Sequence, residues 1–250
     1  MNAIPRLRTH RITVQLKPLT IGQSLAIAKM SPEAEQAETT AFLRSAIETA
    51  EGVENPALWT VEERMLVVCH YLAATSDDGP DFAVGDGHYS DYLDLSKDHA
   101  AESLELGEAC GDKWRLRPFL GAYADSLERI AGGVKDADGN AIEGRAHWMI
   151  GAMAATLIRD SETLPDDSHE GAIDDWLSAR MTVFLGLSEP DFAKLAALWA
   201  EGRRKTAHLF ALSFTDTGIV AMPQKEGAEY LPPCRFPIDA CISDFAKAMA

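Results

Sequence analysis

Five residues able to bind metals or move protons crowd one short stretch: His88, Asp91, Asp94, Asp98 and His99. Imidazoles and carboxylates together suit zinc or another transition metal, and a water held on such an ion would make the chain a metal-dependent hydrolase. His88, Asp91 and His99 are the ligands that reading would use. No HExxH pattern sets two ligands on one helical turn, so the same residues also read as a polar edge beside Tyr89 and Tyr92. Asp136, Asp138, Asn140 and Glu143 space their oxygens somewhat as a calcium loop does. Counted from Asp136, however, Ala141 stands where the turn glycine belongs and His147 where the bidentate Glu belongs. That stretch reads as a solvated turn.

Other signatures are missing. The chain has no GxSxG elbow and no phosphate loop, and Gly85-Asp86-Gly87-His88 lacks the third glycine of a dinucleotide fingerprint. Cys69, Cys110, Cys234 and Cys241 make no CxxC pair, and Cys69 sits in an apolar helical pattern as a small buried hydrophobe. The sequence implies no cofactor. An enzyme would have to assemble its site from distant residues.

The elements that would position these residues follow from periodicity. Ile12, Val14 and Leu16 alternate with Thr13 and Gln15 as an N-terminal strand with one buried face. Thr20 with Gln23, and Thr60 with Glu63, form capping boxes that open helices. Ser31-Pro32-Glu33 predicts another helix start, with Phe42, Leu43, Ala46, Ile47 and Ala50 on its buried stripe. Hairpins are expected within 81–95, with Gly111-Asp112 turning 103–116, and with Thr215 to Gly218 turning 209–222. Helical periods return from Pro118 to Ile130, around His147 to Arg159, from about Ser168 to Leu185 after the break at Pro165-Asp166-Asp167, and after Ser188. The tryptophans Trp59, Trp114, Trp148, Trp176 and Trp199 have apolar neighbours and read as core. Prolines 232, 233 and 237 force an extended passage before a short terminal helix. No internal repeat is legible. The fold class expected is α+β, mainly helical, with two or three small hairpins and the N-terminal strand. The polar, Gly-rich stretch 134–144 is a weak boundary between residues 1–133 and 145–250, and a single domain is the alternative.

Charge excludes partners. With 23 Lys and Arg against 39 Asp and Glu, the formal charge of -16 repels phosphate backbones, so no nucleic-acid partner is expected. No apolar run reaches the roughly 20 residues of a membrane span, and the first residues do not read as a signal peptide. Arg203-Arg204-Lys205 is the one compact basic cluster, suited to a helix C-terminus or to docking a partner.

Residues Lys17-Pro18-Leu19-Thr20-Ile21-Gly22, a short helix, a longer acidic helix and Trp59-Thr60-Val61-Glu62-Glu63-Arg64 follow one another. In this order the N-terminal part resembles tail and baseplate assembly proteins of contractile-tailed bacteriophages. The resemblance covers at most the first two-fifths of the chain and carries over no functional residue. It implies a non-enzymatic structural component or assembly factor, with other tail or baseplate proteins as partners and a place in the host cytoplasm or the virion. Self-association is compatible with it. The strand residues Ile12, Val14 and Leu16 and the cluster Arg203, Arg204 and Lys205 are then the contact candidates. A third reading is an acidic helical adaptor for a basic partner.

Overall fold

The computed structural model describes residues 4–99, 102–166 and 170–250. Met1 to Ala3, Ala100, Ala101 and 167–169 lie outside the described residues, so the expected break at Asp167 and helix start at Ser168 fall there. The fold is α+β, with eight α-helices among the described residues and antiparallel sheets of two or three strands.

Strand β1 (Leu7–Arg8) turns back into β2 (Ile12–Leu16), whose Ile12, Val14 and Leu16 are buried while Thr13 and Gln15 are not. Pro18 follows, and the Thr20 hydroxyl accepts from Gln23 N to open helix α1 (Ile21–Ala28). Ser31 does not cap the next helix. Its hydroxyl accepts from Glu33 N within a turn, and α2 (Glu35–Ala46) starts later, behind Ala34. Nor do Ile47 and Ala50 extend α2. The chain passes without a connecting residue into β3 (Ile47–Gly52), which pairs antiparallel with β2, Val14 opposite Ala50. After a one-turn 3-10 helix (Pro56–Leu58), the second capping box opens α3 (Val61–Thr75), with Val67, Val68 and Cys69 buried. A two-residue-armed hairpin, β4 (Ala83–Val84) with β5 (Gly87–His88), leads into two further 3-10 turns.

The second run repeats this order. Strand β6 (Leu104–Ala109) turns at Cys110 and Gly111 into β7 (Asp112–Leu116), so the turn lies one residue earlier than expected. Both turn residues have positive φ, 54° and 83°, as a two-residue hairpin of right-handed twist demands. Helices α4 (Gly121–Arg129) and α5 (Gly144–Thr156) follow, and α5 again runs straight into a strand, β8 (Leu157–Arg159), paired with β7. The helix expected to reach Arg159 therefore stops at Thr156. Helices α6 (Glu170–Leu185) and α7 (Glu189–Lys205) come next, the latter capped by Ser188 as its sequence predicts. A hairpin of β9 (Ala211–Thr215) and β10 (Gly218–Met222), an extended Pro-rich passage and α8 (Asp244–Met249) finish the chain.

Two units result: Met1–Ala100 with His208–Ser213 and Ile219–Ala250, and Ala101–Ala207 with Phe214–Gly218. The stretch 134–144 falls inside the second unit, as a turn in which Asp136 Oδ1 accepts from Asp138 N and Asn140 N. Each unit holds the same module: a hairpin, two helices, a third strand continuous with the second helix, then a long helix. Sheet orders β1-β2-β3 and β6-β7-β8 correspond. Leu16-Lys17-Pro18 and Leu116-Arg117-Pro118 occupy matching places after the central strand. Lys17 N donates to Ala46 O, and Arg117 N donates to Thr156 O, each at the helix-to-strand junction. Element order and sheet order thus recur between the two units, a likeness the sequence does not display.

Candidate functional site

The N-terminal strand is not an edge. As the middle strand of its sheet, β2 has partners on both sides, and Ile12, Val14 and Leu16 are at most 2% exposed. These residues serve the core of the first unit and cannot meet a partner. Among the described residues the outer strands of this sheet are β1, of two residues, and β3, of six, so β3 offers the longer edge. Val53 N donates to Arg11 O, so by the antiparallel alternation Glu51 and Thr49 bond to β2, while Ala50 and Gly52 turn their backbone groups outward. Exposed Glu48, Glu51 and Glu54 flank this edge, Glu51 in an ion pair with Arg6. Gly52 is required here, because at φ 86° a Cβ would stand 2.2 Å from Arg11 O.

The expected metal ligands disperse. His88 is exposed, its Nδ1 3.2 Å from Asp81 O. Asp91 accepts from His88 N at 2.8 Å and pairs with Lys225, and these contacts hold its carboxyl below the usual range. Asp94 accepts from Ser96 N, and Asp98 accepts from His10 N. His99 offers its backbone N–H to His208 Nδ1 at 3.3 Å. Among the described residues no three His, Cys, Asp or Glu side chains converge on one ion. Arg203 lies over the Trp199 and Phe214 rings, Lys205 pairs with Glu201, and Arg204 is exposed, all in the last turn of α7.

Two polar centres emerge that spacing did not reveal. In the first unit Glu63 is fully buried. Its Oε2 accepts from Thr60 N at 2.9 Å and from Arg11 Nη1 at 3.2 Å, while Oε1 faces His208 Nε2 at 3.8 Å. At that separation the contact is electrostatic rather than a hydrogen bond. Burial opposes a charge on His208, but Glu63, Glu62 and the Lys97 carbonyl prevail and raise its pKa. Glu63 thus caps α3 and holds Arg11 and His208 from segments distant in sequence.

In the second unit an open cleft of about 250 Å³ is walled by Trp176, Ala179, Val183 and Phe184 of α6 and by Arg159, Glu162 and Arg180. Trp176 has apolar neighbours along its helix, which is why it reads as core. Trp176 is in fact half-buried. No family model, curated protein or solved structure matches this chain. The side chains around the cleft must therefore be read from their own contacts. Arg180 donates to Ala154 O through Nε, to Leu157 O through Nη2 and to Glu162 through Nη1, holding the α5–β8 junction to α6. Its guanidinium lies 4.6 Å from the Trp176 ring centre. Arg117 donates through Nε to Ala155 O and stacks 3.9 Å from the Tyr123 centre, leaving a buried Nη2 without a partner. Arg159, half-exposed, approaches Asp112 at 3.5 Å and Glu162 at 3.9 Å.

Proposed function

We propose that the chain is a non-enzymatic bacteriophage tail or baseplate protein, structural or assembly-related, that acts through protein contacts. The order of residues from Lys17 to Arg64 supports the reading, and the free edge of β3 is the observation that carries it furthest. A six-residue edge with outward backbone groups at Ala50 and Gly52 accepts an added strand. Its glutamates discourage pairing between copies of this acidic chain and favour an extended arm carrying Lys or Arg. Assembly would then take place in the host cytoplasm. No helix among the described residues is long and apolar enough to cross a membrane.

Co-expression with the neighbouring tail genes, followed by size-exclusion chromatography and analysis of particles, tests the reading. The chain should co-elute with tail proteins. Ala50→Pro, which removes an outward donor and no bond to β2, should abolish that association in a folded chain. A strict monomer that never joins a particle refutes the proposal.

A further inference from the structure

The cleft on α6 has the composition of a specific site rather than of solvated surface. Arg159 and Arg180 line it, Arg117 and Arg159 each act electrostatically on Arg180, and among the described residues Glu162 is the one carboxylate in the lining. Burial first, then Arg159 and Arg117, push the Arg180 pKa down to about 9. Two arginines against one carboxylate among the described lining residues stand out in a chain of formal charge -16. Arg180 has spent its donors on two backbone carbonyls and Glu162. The half-exposed side chain of Arg159 has longer contacts than Arg180 does, to Asp112, to Glu162 and to the Trp114 ring. Beside it lie apolar walls: Trp176, Phe184, Ala179 and the exposed Val183.

We infer that this cleft binds an apolar carboxylate, with the anion on Arg159 and the apolar body against Trp176, Val183 and Phe184. Arginine recognises a carboxylate in a planar, two-pronged manner, and Arg180 in the same lining adds a second positive charge. At about 250 Å³ the cleft is smaller than a drug-sized site of roughly 300 to 1,000 Å³. It accommodates one amino-acid residue or one ring with its acid group. Such a group arrives either as the C-terminal residue of another polypeptide or as a free small acid. The inference stands on the cleft alone and does not depend on the tail-assembly reading.

The test uses the full chain labelled with 15N, reading the Trp176 indole resonance, assigned with Trp176→Phe. The probes are N-acetylphenylalanine, its C-terminal amide, and phenylacetate. The acid should shift the resonance saturably, with a dissociation constant on the order of 1 mM for so small a ligand. The amide should bind at least tenfold more weakly, and Arg159→Gln should cost a similar factor. Val183→Glu provides a second variant at an exposed position, where the new charge should repel the acid while the fold is retained. Binding by N-acetylphenylalanine but not phenylacetate assigns a polypeptide C-terminus; equal binding of both assigns a free acid. Equal binding of acid and amide, no saturable shift, or full binding in folded Arg159→Gln and Val183→Glu overturns the inference.

Discussion

Gly151 lies inside α5, facing fully buried Leu127 of α4. An alanine Cβ at this position would stand 2.2 Å from Leu127 Cδ2, 3.0 Å from Cδ1 and 3.2 Å from Cγ. Ordinary carbon contacts are roughly 3.5–4.0 Å, so Leu127 must move by more than 1 Å or the two helices must separate. Overpacking of this kind costs about 1–3 kcal/mol, and this approach belongs at the upper end. Against it stands the helix preference of Ala over Gly, about 0.8–1.0 kcal/mol. The net expectation for Gly151→Ala is a loss of about 1–2 kcal/mol. A Leu127→Ala background removes the obstacle, and there the same change should stabilise by about 1 kcal/mol. The two effects imply a coupling of about 2–3 kcal/mol in a double-mutant cycle, read from urea denaturation followed by tryptophan fluorescence. If Gly151→Ala stabilises the unaltered chain as much as it does the Leu127→Ala chain, the close approach of α4 and α5 is refuted.

His208 has a raised pKa in the folded chain, so its contribution is complete below the unfolded value of about 6.5 and disappears as pH rises through the folded value. The urea midpoint of the first unit should fall from pH 6 towards pH 9, less steeply in Glu63→Gln; a midpoint that rises over this range contradicts the Glu63–His208 pairing. Arg180→Lys cannot reproduce a fork that serves Ala154 O, Leu157 O and Glu162 together. It should cost about 2–4 kcal/mol in denaturant, and a loss under 0.5 kcal/mol would show the fork to be dispensable. Among the cysteines, exposed Cys110 should react first with a maleimide, faster as pH rises, because partial desolvation and Asp191 raise its pKa. Buried Cys69 should label only on unfolding, and mass spectrometry finding it modified first would contradict its placement.

Legibility in the sequence followed the range of the forces involved. Thr20 with Gln23 and Thr60 with Glu63 act within one turn, and both boxes stand as the residues announce them. The hairpins at 103–116 and 209–222 carry their glycines at the turns and alternate along their arms, so they too were readable. Strands β3 and β8 were not. Ile47 and Leu157 follow their helices with no Gly or Pro between, and only the open side of β2 or β7 turns the backbone to extended angles. The recurring order of elements was not legible because Leu16-Lys17-Pro18 and Leu116-Arg117-Pro118 are too short to stand out, while the connecting segments differ in length. Glu63 was legible as a cap but not as the partner of Arg11 and His208, which arrive from 52 residues before and 145 after. The cleft was hidden for a related reason. Trp176, Arg180 and Phe184 repeat every four residues, as a core stripe does, and the other charged side chains of its lining, Arg159 and Glu162, lie outside α6.

The β9–β10 hairpin has its arms in the first unit and its tip, Phe214–Gly218, in the second. Phe214 there stacks on Trp199, and Asp216 accepts from Arg145 N at the start of α5. This arrangement sets an order of maturation during synthesis. Residues 101–207 emerge before the tip that finishes their unit, and residues 1–100 must wait longer still for His208 to reach Glu63. A nascent chain stopped after α7 would hold two incomplete bodies, one with Glu63 lacking its histidine and the other with Trp199 uncovered. Each unit therefore stays incomplete until its share of this hairpin arrives: the second needs Phe214–Gly218, and the first needs His208–Ser213 and the residues from Ile219 onward.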